Sequence, residues 1–168
     1  MRRKDRELTE HDALDIVRTS RHAVVATCDA SGTPYAVPVS PVWLDGALYY
    51  HSASDPSGRR ASNLAQNPRV SVCFIAKCRS FYAGADSFSV DYASAVVAGR
   101  AERVTDDAER HRAAVALCNF QCPDAPSGSA EDAWTRFGSR IDIWKVTPEK
   151  ISGKAYDAAK RRAAQAKQ

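Results

Sequence analysis

Apolar and polar residues alternate with period two in several short stretches of the chain and repeat with helical spacing in others. Thr9-Glu10-His11-Asp12 sets a capping hydroxyl and acids ahead of Ala13, Leu14, Ile16 and Val17, which predicts a short amphipathic helix. His22–Cys28 reads as a first strand, closed by the loop-forming Asp29-Ala30-Ser31-Gly32-Thr33-Pro34. Tyr35–Leu44 reads as a second strand in which Pro38 and Pro41 lack the amide hydrogen a ladder needs, so part of it must be an edge or carry a bulge. Asp45-Gly46 then joins it to Leu48–Ala53 as a hairpin. An unpaired edge of this kind can bond a flat ligand through its main chain.

Beyond the hairpin, Asp55-Pro56-Ser57 predicts a helix start with Ser57 as N-cap, and Asn67-Pro68 stops that helix. Arg69–Ala76 alternates as a strand, and the aromatic but irregular Lys77–Asp91 predicts a long loop. Tyr92–Val104 is the longest strand candidate, with Gly99 as a bulge. Thr105-Asp106-Asp107 caps a helix to about Phe120 that buries Ala113, Ala116, Leu117 and Phe120, and a short helix follows at Ser129–Phe137. Ile141–Val146 alternates strictly as a last strand, followed by Pro148–Lys154. Strands with helices inserted between them and no steady βαβ rhythm predict a mainly β, α+β fold with an antiparallel sheet or barrel.

Composition narrows this reading. A chain of 168 residues with 44% hydrophobic and 26% charged residues is expected to form one ordinary globular domain. We place it at residues 1–155, with 156–168 as a basic, frayed helical tail. Of the 24 Lys and Arg and 20 Asp and Glu, residues 154–168 hold five and one, which leaves 19 of each and puts the +4 charge in those last fifteen residues. A nucleic-acid reader carries its basic excess across a folded face, so no nucleic-acid partner is expected. No apolar run reaches the roughly 20 residues that span a bilayer, and no apolar segment follows the basic start, so we expect a cytoplasmic protein without membrane attachment. The five cysteines lack paired spacing and read as reduced thiols. Cys118-x-x-x-Cys122 sets two thiols one helical turn apart, either as metal ligands or as filler of a helix face, and with no second pair nearby we expect no metal.

The candidate chemistry gathers where the hairpin meets the following helix. Two guanidinium groups at Arg59 and Arg60, in the first turn of a capped helix whose backbone N–H groups are free, suit an anion such as phosphate. The bland alternative is a solvated helix face. His51 is either a proton donor or substrate contact, since an imidazole exchanges protons near neutrality, or a structural histidine at a strand end. Trp43, Trp134 and Trp144 read as core or contact residues.

The opening Met1-Arg2-Arg3-Lys4-Asp5-Arg6-Glu7, the Pro34–Val39 and Leu48–Ala53 strands, Gly58-Arg59-Arg60, the Tyr92–Gly99 strand and Gly153-Lys154-Ala155 resemble, in the same order, the nitroimidazole-resistance (Nim) group of the pyridoxamine 5′-phosphate oxidase-like flavoproteins. The resemblance implies an FMN-binding split β-barrel working as a homodimer, with flavin in clefts between subunits. It implies main-chain groups of Val37, Pro38 and Val39 near the isoalloxazine ring. It further implies that His51, Ser52 and Ala53 line the flavin cleft, with Arg60 at the phosphate and Tyr92 and Ser94 close to the cofactor; Ser57, read as the N-cap of the same basic helix start, joins the cofactor-binding set from the residues alone. Asp55-Pro56-Ser57 lengthens the loop before Gly58 relative to many relatives, so Arg59 and Arg60 are both kept as phosphate ligands.

The function this implies is FMN-dependent oxidation and reduction, with electrons passing from a reduced donor to a small acceptor such as a nitroaromatic, and with His51 as the catalytic candidate. The alternative is a non-catalytic carrier or sensor holding flavin or haem in the same barrel, with His51 as the axial ligand in the haem case. No dinucleotide fingerprint follows a strand, so no dedicated nicotinamide-binding domain is expected.

Overall fold

The computed structural model describes residues 3–55, 57–84 and 86–158. Among these, the helices are α1 (Glu10–Thr19), α2 (Arg59–Gln66), α3 (Asp107–Gln121) and α4 (Ser129–Phe137). The strands are β1 (Ala23–Cys28), β2 (Pro34–Val39), β3 (Val42–Leu44), β4 (Ala47–Ala53), β5 (Arg69–Gly84), β6 (Ser87–Arg103) and β7 (Ile141–Tyr156). They are hydrogen-bonded in the order β2-β1-β5-β6-β7-β4-β3, and β1 with β2, β1 with β5, β3 with β4, and β4 with β7 run antiparallel. The α+β class expected from the sequence is the class observed.

Three local expectations are corrected. The predicted strand Tyr35–Leu44 is two strands, because the chain breaks pairing at Ser40-Pro41: β2 pairs with β1 and β3 pairs with β4. Lys77–Asp91 is no loop. Both strands extend through it, and the Tyr82 and Phe88 rings meet edge to face at 5.4 Å across the turn that holds Asp86 at φ 57. Aromatic cross-strand pairs hold a two-stranded ribbon together even where its composition looks irregular. Ser57 is not the N-cap of α2. Its amide and hydroxyl both donate to the Asp55 carboxylate, at 2.9 and 2.6 Å, and Gly58 takes the cap position with no side-chain hydrogen bond. The tail expected from residue 156 lies beyond the described residues from 159 onward, and β7 itself runs to Tyr156.

Contacts gather the chain into two units: residues up to Ser20 with Phe74–Val96 and those from Ile151, and Arg21–Cys73 with Val97–Lys150. In the first, Thr9 caps α1 by accepting from the Asp12 amide at 3.1 Å, and α1 buries Ala13 and Val17. Gly153 is required there because a Cβ would meet the Ala13 Cβ at 2.7 Å. Asp91 is almost fully buried and accepts from Arg79 and from the Ala158 amide, each at 2.9 Å.

In the second unit, Asp106 caps α3 by accepting from the Glu109 amide at 2.7 Å. The helix buries Ala113, Ala114 and Leu117 against Val42, Tyr49 and Ile143, with Ala116 and Phe120 partly buried against the same cluster. Apolar burial of this kind supplies most of the folding drive. Gly99 serves a close backbone approach: a Cβ there would meet the Thr147 carbonyl oxygen, with Pro148 Cα at 3.1 Å.

Candidate functional site

The hairpin turn places both Asp45 (φ 49) and Gly46 (φ 82) in left-handed conformations, the pairing a tight two-residue turn demands, and this sets the register of β3 on β4. On its other side β4 pairs with β7, Tyr50 opposite Trp144, His51 opposite Ile143 and Ser52 opposite Asp142. Side chains alternate along a strand, so Tyr50 and Ser52 share one face of β4 while His51 and Ala53 share the other. Ser52 is tied on its face by a hydrogen bond from Trp144 Nε1 at 3.1 Å.

The loop after β4 is braced by the Asp55 carboxylate, and Ser54 donates to Asp142 at 3.2 Å. Helix α2 then begins at Arg59. Its first-turn amides lack intrahelical acceptors, as in any α-helix, and Gly58 brings no side chain to cap them. The Arg59 guanidinium lies 4.9 Å over the Tyr35 ring, and that of Arg60 lies 5.0 Å over the Tyr50 ring. Neither arginine meets a carboxylate at ion-pair distance among the described residues. Asp29 is held below the usual carboxylate range, first by the Ser31 hydroxyl and then by backbone amides, with Arg59 adding at longer range. Tyr50 is buried and its hydroxyl has no hydrogen-bond partner among the described residues; burial pushes the phenol up to about 12, with the Arg60 charge opposing.

Two cations with no carboxylate at ion-pair distance among the described residues, oriented on aromatic faces at a helix start, are a donor set that fits a phosphate ester. The edge expected to meet a flavin ring is also present. Val37, Pro38 and Val39 pair with Val25, Val24 and Ala23 of β1, and β2 ends the strand order, so its far side has no strand partner among the described residues. The phosphate-type donors and the sheet edge therefore suit a flavin that carries a phosphate.

His51 faces an apolar cleft lined by α3 and α4. The cleft has two lobes of about 260 and 210 Å3, which share His51, Leu117, Cys118, Ala130 and Ala133. Cys118 and Cys122 both line the larger lobe, and partial burial, with Cys122 adding, holds the Cys118 thiol above its ordinary value. Among the described residues no cluster of His, Cys, Asp and Glu is arranged to hold a metal.

The expected site residues thus fall into separate settings. Ser52 shares the Tyr50 face of β4, against which Arg60 packs, while His51 opens onto the α3–α4 cleft. Ser57 is used within its own loop. Tyr92 and Ser94 belong to the other unit, where Arg6 donates to the Tyr92 hydroxyl at 3.4 Å and Ser94 donates to the Lys154 carbonyl at 3.5 Å. Burial works to raise the Tyr92 phenol, but Arg6 and Lys154 outweigh it and hold the group below its ordinary value.

Sequence reasoning missed the two rings under the arginines and the buried Asn63, which ties α2 to β1 by donating to Thr27 at 3.0 Å. A signal for Asn63 was available: a polar residue on the apolar stripe of α2 beside Leu64. The α3–α4 cleft left no such mark, because its small wall residues read as ordinary helix formers.

This antiparallel fold, with a basic helix start beside a free sheet edge, is that of the split-barrel class. A family model described as pyridoxamine 5′-phosphate oxidase matches residues 9–155, and the chain belongs to that family. Among solved structures it is similar to a candidate 5-nitroimidazole antibiotic resistance protein from Bacteroides thetaiotaomicron, at 23% identity over 88% of this chain and 85% of that one, with a TM-score of 0.71. It is similar also to an FAD-binding protein from Mesorhizobium loti, at 23% identity over 90% and 98% of the two chains, with a TM-score of 0.66. An FAD and heme binding protein from Mycobacterium smegmatis aligns at 21% identity over 95% and 80%, with a TM-score of 0.69. At these identities the likeness concerns the fold. No curated protein sequence matches the chain.

Proposed function

We propose that this protein is an FMN-dependent oxidoreductase of the nitroimidazole-resistance type, passing electrons from a reduced donor to a small acceptor. It works as a cytoplasmic homodimer with the cofactor in clefts between subunits. The observation that carries the reading is the pair Arg59 and Arg60, with no carboxylate at ion-pair distance among the described residues and steadied on Tyr35 and Tyr50 at the start of α2. Bound there, the flavin would supply the redox chemistry. The chain's own part is to anchor the phosphate through the guanidinium groups, to meet the ring along the Val37–Val39 edge, and to present His51 as a proton-exchanging group.

The absorption spectrum of the purified protein, with the extracted cofactor identified by mass, tests this. A flavin spectrum and FMN are expected; a colourless protein that takes up no FMN overturns it. A second reading, haem carriage with His51 as axial ligand, draws on His51 facing an apolar cleft. It requires a Soret band that disappears in His51→Ala.

A further inference from the structure

The α3–α4 cleft has a chemistry of its own. Among the described residues neither lobe is lined by a Lys, Arg, Asp or Glu. An anion placed here would lose hydration with no permanently charged side chain in return, a penalty that disfavours a phosphorylated or carboxylate ligand. The smaller lobe is mostly apolar, while the larger one also has Ser40, Asn119, Gln121 and Ser129 on its rim, with Ser40 already meeting His22 Nδ1 at 3.4 Å. Gln121 already donates to the carbonyls of Arg21 and Pro41, at 3.0 and 3.1 Å. Of the side chains common to both lobes, only the His51 imidazole and the weakly bonding Cys118 thiol carry hydrogen-bonding atoms, so His51 is the principal one beside Trp134 and Leu117.

The wall opposite the strand is shaped by contrast in size. Ala130 and Ala133 of α4 leave space, and Trp134 closes the smaller lobe. The Trp134 indole is held from several sides: Arg110 lies 5.4 Å from its centroid, the His111 ring lies at 5.4 Å, and a Cβ at Gly138 would come within 2.8 Å of it. A fixed indole beside small residues offers a flat ligand a stacking surface.

We infer that the α3–α4 cleft binds an uncharged, flat, largely apolar molecule carrying one hydrogen-bonding oxygen, seated against Trp134 and Leu117 with that oxygen at His51. This rests on the flavin reading only for the molecule's role as electron acceptor; the binding itself does not require it.

Nitrobenzene and 4-nitrobenzoate, one ring without and with a charge, test it on the protein as purified by quenching of tryptophan fluorescence. Saturable quenching by nitrobenzene is expected, with 4-nitrobenzoate at least about tenfold weaker. Ala133→Phe, which fills the cleft from α4, is expected to weaken nitrobenzene by about tenfold or more while FMN uptake is unchanged. If that variant does not fold, Cys118→Leu fills the same space from α3 and carries the same expectation. Equal binding of the anion, undiminished binding in a folded filling variant, or quenching that survives in Trp134→Phe overturns the assignment. So does a change of oligomeric state in Ala133→Phe without nitrobenzene binding in the parent, since the cleft would then house a second copy of the chain. Discriminating quenching in a protein that takes up no FMN upholds the cleft and sinks the oxidoreductase reading. FMN uptake without discrimination does the reverse.

Discussion

The side-chain amide of Asn63 donates to the Thr27 hydroxyl at 3.0 Å, with both residues almost fully buried. Thr27 in turn donates to the Tyr35 carbonyl at 3.3 Å, and the Tyr35 ring lies under Arg59. One short polar chain thus runs from the helix that carries the arginines to the strand whose edge is proposed to meet the flavin ring. Buried polar groups are costly unless paired, so this chain specifies how α2 sits on β1.

Asn63→Ala removes the donor and leaves a small void, and the protein should lose about 1–3 kcal/mol of stability. Denaturant unfolding followed by far-UV signal checks this. An unshifted midpoint would show that the bond contributes nothing.

Replacing both Arg59 and Arg60 by Ala should weaken FMN binding by about 2–4 kcal/mol, since charge-assisted bonds to phosphate are worth about 1.5–3 kcal/mol each and are not additive. Apoprotein titrated with FMN, read by flavin fluorescence, measures it. Riboflavin, which lacks the phosphate, should bind parent and double variant alike. Unchanged FMN affinity would remove the arginines from the site.

The Ala158 amide and Arg79 hold the Asp91 carboxyl below its usual range. A carboxylate whose folded pKa is depressed contributes stability that is fully present above its unfolded pKa, about 3.9, and is lost as pH falls through the lower folded value. Asp91→Asn should therefore be less stable than the parent at neutral pH, with the gap narrowing only below about pH 4. Unfolding midpoints of both proteins across the acidic range decide the matter, and a gap independent of pH would contradict it.

Gly99→Ala should cost about 1–3 kcal/mol, because the atoms its Cβ would meet are the Thr147 carbonyl and Pro148 Cα, backbone that cannot rotate aside. Thermal unfolding is the readout. A neutral substitution would mean that β7 shifts freely at Thr147.

Local physics was legible in the sequence. The Thr9 and Asp106 caps, the Asp45-Gly46 turn and the placement of Pro38 in an edge strand follow from neighbours a few residues apart, and each formed as expected, whereas α3 buries Ala114 beside Ala113 and Leu117 and leaves Ala116 and Phe120 half-buried. Ser57 was misjudged over the same short range: Asp55 two residues away competes for its hydroxyl, and either partner satisfies the composition. The ribbon beyond Lys77 was hidden because its aromatic pair, Tyr82 with Phe88, joins two strands rather than patterning one. What only the folded chain decided is which surfaces face each other. The rings beneath Arg59 and Arg60 come from β2 and β4, and the cleft at His51 takes its walls from helices more than fifty residues further on. Caps and turns are short-range and leave their mark in neighbouring residues. A cleft is set by long-range packing of side chains that, read singly, are ordinary alanines, leucines and tryptophans.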